Sequence, residues 1–150
     1  MNEVAIHGGG RDSIAVLLDV WVESRYLTTI SGDGVIVSTA TGSTAYSMAC
    51  GGPVVYPECD ALCLTPIAPR SLSFRPVLFP SSSLLRIAPS LHNRNPSLVA
   101  SLDGRHTFTL TPESILSLQV SPHPVPLVCR NGSLPDWITS LKERLNWGTS

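Results

Sequence analysis

Lysine is almost missing from this sequence: Lys142 is the single one among 150 residues, beside nine arginines. Charged residues of all kinds make up only 14%, and the formal net charge is −1. Such a balance offers no electrostatic footprint for nucleic acid or for an anionic membrane surface. Aromatic residues are scarce as well, at 6%. No apolar run approaches the roughly 20 residues that a bilayer-spanning helix requires, and neither a secretory leader nor a lipidation signal is readable. Four cysteines stand at 50, 59, 63 and 129. Cys59 and Cys63 have no His or Cys partner at metal-site spacing, so no metal site is expected, and each thiol reads as free and buried or half-buried. Reduced thiols without an export signal point to the cytoplasm, an organellar address being open only to an upstream segment.

Hydrophobic residues, at 43%, are enough for one domain with a sizeable core in a chain of 150. The 13 prolines fall mainly between short apolar runs. That spacing argues against long helices and for a mainly β core with proline-stiffened turns. Val16 to Val22 alternates, with Leu18, Val20 and Val22 on one face and Asp19 and Trp21 on the other. Tyr26 to Ile30 follows across Glu23-Ser24-Arg25 as the second arm of a hairpin. Gly34–Val37, Ala61–Thr65, Val77–Phe79, Leu84–Ile87, Ser97–Leu102, Thr107–Leu110, Ile115–Val120 and Pro126–Cys129 read as further strands. From Pro135 the tail turns amphipathic, with Trp137, Leu141 and Leu145 on one helical face. No internal repeat and no dividing linker is visible.

Chemistry concentrates in Ser38-Thr39-Ala40-Thr41-Gly42-Ser43-Thr44-Ala45-Tyr46-Ser47, where six of ten residues carry an aliphatic hydroxyl. Thr44 to Cys50 is helix-compatible, with Ser43 or Thr44 available as cap, and Gly51-Gly52-Pro53 ends it. Hydroxyls beside helix-start N–H groups suit a ligand rich in hydroxyls and phosphates. Gly8-Gly9-Gly10-Arg11 lacks the Lys and Ser/Thr of a P-loop and reads as a flexible loop. The histidines at 7, 92, 106 and 123 have no spacing for a metal or a Ser-His-Asp set. Arg75 reads as a donor to loop carbonyls.

The order Asp33-Gly34-Val35-Ile36-Val37-Ser38-Thr39, then Thr41-Gly42-Ser43-Thr44-Ala45-Tyr46-Ser47, resembles the nucleotide-contacting loop of NAD kinases. Asn2-Glu3, the segment Thr65-Pro66-Ile67-Ala68-Pro69-Arg70-Ser71-Leu72-Ser73-Phe74-Arg75-Pro76 and the turn Asp103-Gly104-Arg105 are similar to other pieces of that family in the same order. The resemblance spans residues 2 to 147, corresponding to the carboxy-terminal half of a member. It implies a mainly β sandwich with a short helix after the Ser/Thr loop and a helix at the C-terminus, all of 1–150 being the NAD-binding domain without the family's amino-terminal α/β domain. The implied reaction moves a phosphoryl group from ATP, with Mg²⁺ bound through the nucleotide, to the adenosine ribose 2′-hydroxyl of NAD, giving NADP.

The resemblance further implies NAD contacts. Asn2 and Glu3 would face the nicotinamide end and its ribose. Asp33 would bond the ligand, in several members from a neighbouring subunit. Thr41, Thr44, Ala45 and Tyr46 would line the adenosine and ribose, Ala68 and Arg70 would reach the adenine across a subunit interface, and Asp103 belongs to the matching turn. No catalytic residue is assigned, because the family's Gly-Gly-Asp-Gly aspartate is not in this chain. Gly8, Ala40 and Arg70 stand where the family commonly has Arg, Pro and His. Implied partners are NAD, ATP and further copies of the chain or a full-length NAD kinase. A non-catalytic NAD-binding or assembly module is the other reading. A related lipid kinase is a third, against which the Ser/Thr loop speaks.

Overall fold

Strict alternation along Val16–Val22 forms a strand with one apolar face, and the rest of the architecture follows from similar stripes. The computed structural model describes residues 1–9, 15–94 and 98–146. Its contacts fall into two compact units, Met1–Val120 and Ser121–Ser150. In the first unit the strands are β1 (Glu3–Gly8), β2 (Val16–Val22), β3 (Arg25–Gly32), β4 (Gly34–Thr39), β5 (Ala61–Ile67), β6 (Val77–Pro80), β7 (Leu85–Pro89), β8 (Leu98–Leu102), β9 (His106–Leu110) and β10 (Leu116–Leu118). They form two antiparallel sheets, ordered β6-β5-β4-β1-β8-β9 and β10-β7-β2-β3. Between β4 and β5 lie a 3₁₀ turn (Thr41–Thr44) and helix α1 (Tyr46–Ala49).

The sheets pack face to face. Ile6, Val35, Val37, Leu62, Leu64, Leu98 and Ala100 of the larger sheet meet Val16, Leu18, Val20, Ile30, Leu85 and Ile87 of the smaller. This is the expected β sandwich, with Leu18 and Val20 inward as the alternation requires. The other face of the larger sheet is also closed over. Ala5, Ile36, Ser38, Cys63, Thr65 and Ser101 are all buried there, and α1 is tied to it by a Ser47 Oγ to Thr65 Oγ1 hydrogen bond of 2.8 Å.

Several expectations need correction. Strand β1 has no counterpart in the sequence reading, because Glu3 to Ile6 are buried on both faces and so show no alternation. Pro126–Cys129 forms no strand, and Thr44–Cys50 is no continuous helix but is broken at Ala45. Cys50 is half-buried and Cys63 buried as expected, but Cys59 and Cys129 are exposed; all four are free. In the second unit, α2 (Ser133–Leu145) is the expected terminal helix and Leu141 is its buried residue. Gly10, Arg11, Pro96, Ser97 and Trp147 lie outside the described residues.

Candidate functional site

The Gly32-Asp33-Gly34 corner between β3 and β4 is shaped by close approach. A Cβ on Gly32 would stand 2.7 Å from Ile67 O, and one on Gly34 would stand 2.1 Å from Ile6 O. Only glycine fits on either side, and the pair leaves Asp33 exposed between them, its N–H donating to Ile67 O at 2.9 Å.

From this corner β4 leads into the hydroxyl loop. Thr39 is the hub at its entry. Its N–H donates to Asn2 O at 3.0 Å, and its Oγ1 accepts from Gly42 N–H at 3.0 Å while lying 3.0 Å from Thr41 Oγ1. Gly42 rests on Asn2, where a Cβ would come within 1.9 Å of Asn2 O. Ser43 is fully buried, its Oγ accepting from Val55 N–H at 2.9 Å. Thr44 Oγ1 donates to Thr41 O at 3.5 Å.

Neither Ser43 nor Thr44 caps α1, whose N-cap is Ala45 at φ −99°, ψ −128°, without a side-chain cap bond. That break leaves the Tyr46 N–H outside the 3₁₀ turn and turned toward the Glu3 carboxylate, whose ionised form it favours. The group that meets the helix start therefore comes from the first strand, through tertiary contact, and not from the loop's own hydroxyls.

Asn2, Glu3 and Asp103 are joined more tightly than their separation in sequence suggests. Asp103 Oδ1 accepts from Asn2 N–H at 2.6 Å and from Glu3 N–H at 3.0 Å, while Asp103 N–H donates to Glu3 O at 3.1 Å. Asp103 and Gly104 have φ of +48° and +65°, the pattern of a type I′ hairpin turn, closed by Arg105 N–H to Leu102 O at 2.9 Å. Burial pushes the Asp103 carboxyl upward, but the N–H groups of Glu3 and Asn2 together with Arg105 outweigh it and hold it below its ordinary value. Glu3 goes the other way: burial first, then the neighbouring Asp103 charge, raise it, with the Tyr46 N–H opposing. Glu3 is only 8% exposed, and its Oε2 has no protein partner.

Tyr46 is 44% exposed, so it is not a core residue. Its phenol is raised above its ordinary value by burial, then by the Cys50 sulfur to which it is hydrogen-bonded, then by the Asp33 charge. Burial likewise raises the Cys50 thiol, against the Tyr46 bond. Both groups stay neutral, and Asp33 is close enough to be felt there.

Ala68 and Arg70 flank the Asp33 corner from the other side. Ala68 is exposed at φ +43°, and Arg70 N–H donates to Ser31 O at 2.8 Å. The Arg70 side chain lines a cleft of about 240 Å³ with Ala15, Leu17, Ser31, His92 and Arg94, none of them from the hydroxyl loop. Arg75 donates to Leu72 O at 2.6 Å and Phe74 O at 2.9 Å, as expected of a loop-bracing residue. The candidate residues thus form two groups: Asn2, Glu3, Thr41, Thr44, Ala45, Tyr46 and Asp103 around the loop, and Asp33, Ala68 and Arg70 around the corner. Thr39, Ser38, Ser47 and Thr65 were not singled out from sequence. They lay inside the quoted motifs, but neither hydroxyl density nor motif order tells a buried brace from an exposed contact. Among the described residues no group of three His, Cys, Asp or Glu is arranged to hold a metal ion.

Known proteins resemble this chain in sequence and in fold. The rice (Oryza sativa subsp. japonica) probable NAD kinase 1 is 41% identical over 147 residues, covering 98% of this chain and 27% of the rice protein. The mitochondrial NADH kinase pos5 of Schizosaccharomyces pombe is 44% identical over 149 residues, covering 98% of this chain and 38% of its own length. The chain therefore spans about a quarter to two-fifths of these relatives. The crystal structure of yeast NADH kinase complexed with NADH superposes with a TM-score of 0.73 at 30% identity, over 100% of this chain and 45% of that one. The family model of the ATP-NAD kinase C-terminal domain matches residues 1–129, and the chain belongs to that family.

Proposed function

We propose that this chain is the NAD-binding half of an NAD kinase-type phosphotransferase, acting in the transfer of a phosphoryl group from ATP to the adenosine ribose 2′-hydroxyl of NAD. The observation that carries the reading is the junction where Asn2, Glu3, Asp103 and the Tyr46 N–H meet at the base of the hydroxyl loop. Rigid mounting of that loop is what phosphoryl transfer asks of an acceptor site, since such catalysis is mostly positioning and charge compensation. Asn2 and Glu3 would take the nicotinamide end and its ribose, and Thr41, Thr44, Ala45 and Tyr46 the adenosine. Asp33, Ala68 and Arg70, grouped at the corner, would serve a nucleotide held by a neighbouring subunit.

The acceptor hydroxyl must also lose a proton, and the γ-phosphate needs its own cradle. The family's Gly-Gly-Asp-Gly aspartate, absent from this sequence, supplies the first. The described residues do not fit a Mg²⁺ site of their own, so Mg²⁺ would belong with the phosphates of ATP. Calorimetric titration of NAD and NADH into the chain tests the binding reading: saturable binding is expected, and none at millimolar ligand would overturn it. With ATP added, the isolated chain is expected to form no measurable NADP, and robust turnover would show that it needs no further catalytic group.

A second reading is a non-catalytic NAD-binding or assembly module that joins a complete NAD kinase. Mixing the two and measuring mass by light scattering decides it; failure to co-migrate sinks that reading. We place the protein in the cytoplasm, where a sequence-tagged copy should be found by imaging.

A further inference from the structure

We propose that Ser38 is the positioning residue of Glu3, holding the second oxygen of its carboxylate through one buried water. Glu3 and Ser38 are directly paired across the β1–β4 ladder, so their side chains stand side by side on one face of the larger sheet. Both are enclosed, Glu3 at 8% and Ser38 at 1% exposure. Glu3 Oε2 and Ser38 Oγ are each buried and without a protein partner. A carboxylate oxygen only accepts, whereas a serine hydroxyl both donates and accepts and can turn to suit. Two neighbouring buried groups of this kind, neither bonded within the protein, are the polar surroundings in which proteins keep a structural water.

The pair closes a longer row. Ser38 faces Cys63 across the β4–β5 ladder, Cys63 Sγ lies 3.3 Å from Thr65 Oγ1, and Thr65 Oγ1 lies 2.8 Å from Ser47 Oγ on α1. Helix α1 thus reaches the strand beside Ser38 through Ser47, and the Glu3 carboxylate through the Tyr46 N–H. Ser38 sets how the Glu3 carboxylate is turned toward Tyr46, and hence how the base of the hydroxyl loop is held. The consequence for ligand rests on the proposed NAD-binding role; the pair itself does not.

The test is a ¹³C carboxyl NMR titration of the intact chain, with the Glu3 signal identified by Glu3→Gln. The ionisable groups around Glu3 are Asp103, Arg105 beyond it, Tyr46, Cys63 and the amino group of Met1. Ser38→Ala is expected to move the Glu3 midpoint upward, because the ionised form loses a donor, and to shift the Tyr46 amide resonance. Ser38→Thr keeps the hydroxyl and should restore both. NAD affinity should fall severalfold in Ser38→Ala and recover in Ser38→Thr. Should the alanine variant not fold, Ser38→Cys, with its weaker donor, should move the midpoint in the same direction. A folded Ser38→Ala chain with unchanged Glu3 midpoint and Tyr46 amide overturns the proposal. If NAD does not bind at all, the titration still decides the pair, so the two readings fail separately.

Discussion

Asp103 and Glu3 hold each other through the backbone: the Asp103 carboxylate accepts the Glu3 N–H at 3.0 Å, and the Glu3 carbonyl accepts the Asp103 N–H at 3.1 Å. The β8–β9 turn is thereby locked onto the first strand, and Asn2 is included through the same Oδ1.

That lock predicts a graded response at Asp103. Asp103→Asn keeps an acceptor and tolerates φ near +48°, so it should cost well under about 1 kcal/mol. Asp103→Ala loses the acceptor and sits poorly at positive φ, and should cost about 1–3 kcal/mol. Urea denaturation of the two variants checks the order; equal midpoints would mean that the side chain does not bear on the turn.

The pH dependence of stability should carry two opposed contributions. Asp103, held below its ordinary value, stabilises the fold above its unfolded pKa, and that contribution fades as pH falls through the lowered folded value. Glu3, raised by burial, has its stability contribution complete below its unfolded pKa and loses it as pH rises through the raised folded value. Glu3→Gln should therefore stabilise the chain at pH 7 relative to its effect at pH 3, while weakening NAD binding. Thermal denaturation at the two pH values is the measurement, and a difference of the opposite sign would contradict the burial argument.

Gly34→Ala should be among the most damaging single changes. Its Cβ would meet the Ile6 carbonyl at 2.1 Å, backbone against backbone between two central strands, which cannot yield as a side chain tip would. A loss of about 2 kcal/mol or more is expected, on the scale of overpacked cores. A denaturation midpoint equal to that of the unaltered chain would show that β1 and β4 can separate locally at little cost.

Ala40→Pro should stabilise. Ala40 already has φ −56°, within reach of proline, and Thr39 before it ends a strand, the conformation that a following proline favours. The gain should be about 0.5–1 kcal/mol, mostly through the unfolded chain. A drop in melting temperature would indicate that the Ala40 N–H or the space around it matters in the fold.

Asp33→Ala and Thr44→Ala should each weaken NAD binding about tenfold, roughly 1.4 kcal/mol, with little change in stability. Asp33 is exposed and Thr44 makes only a long bond within its loop, so neither carries much of the fold. Calorimetry in parallel with denaturation separates the two effects. Unchanged affinity in both variants would refute the roles transferred to them.

Much of the sandwich was legible because alternation survives wherever a strand has one wet face. Val16–Val22 was found to its ends by that signal. β1 was missed for the opposite reason, since a central strand covered on both sides reads as a short apolar run beside glycines. The family was legible as an ordered set of residues, and α1 was misjudged because propensity suggested a side-chain cap that the fold does not use.

The sequence by itself determined the mainly β character and the membership of the family, because side-chain alternation and ordered motifs are local properties. Only the tertiary structure decided what each hydroxyl and carboxylate does mechanically. It put Glu3 under cover beside Ser38, gave the helix start a carboxylate from β1, and left Arg70 in a cleft apart from the hydroxyl loop. Burial, unpaired buried oxygens and close backbone approach arise only when distant segments meet, and no window of residues contains them.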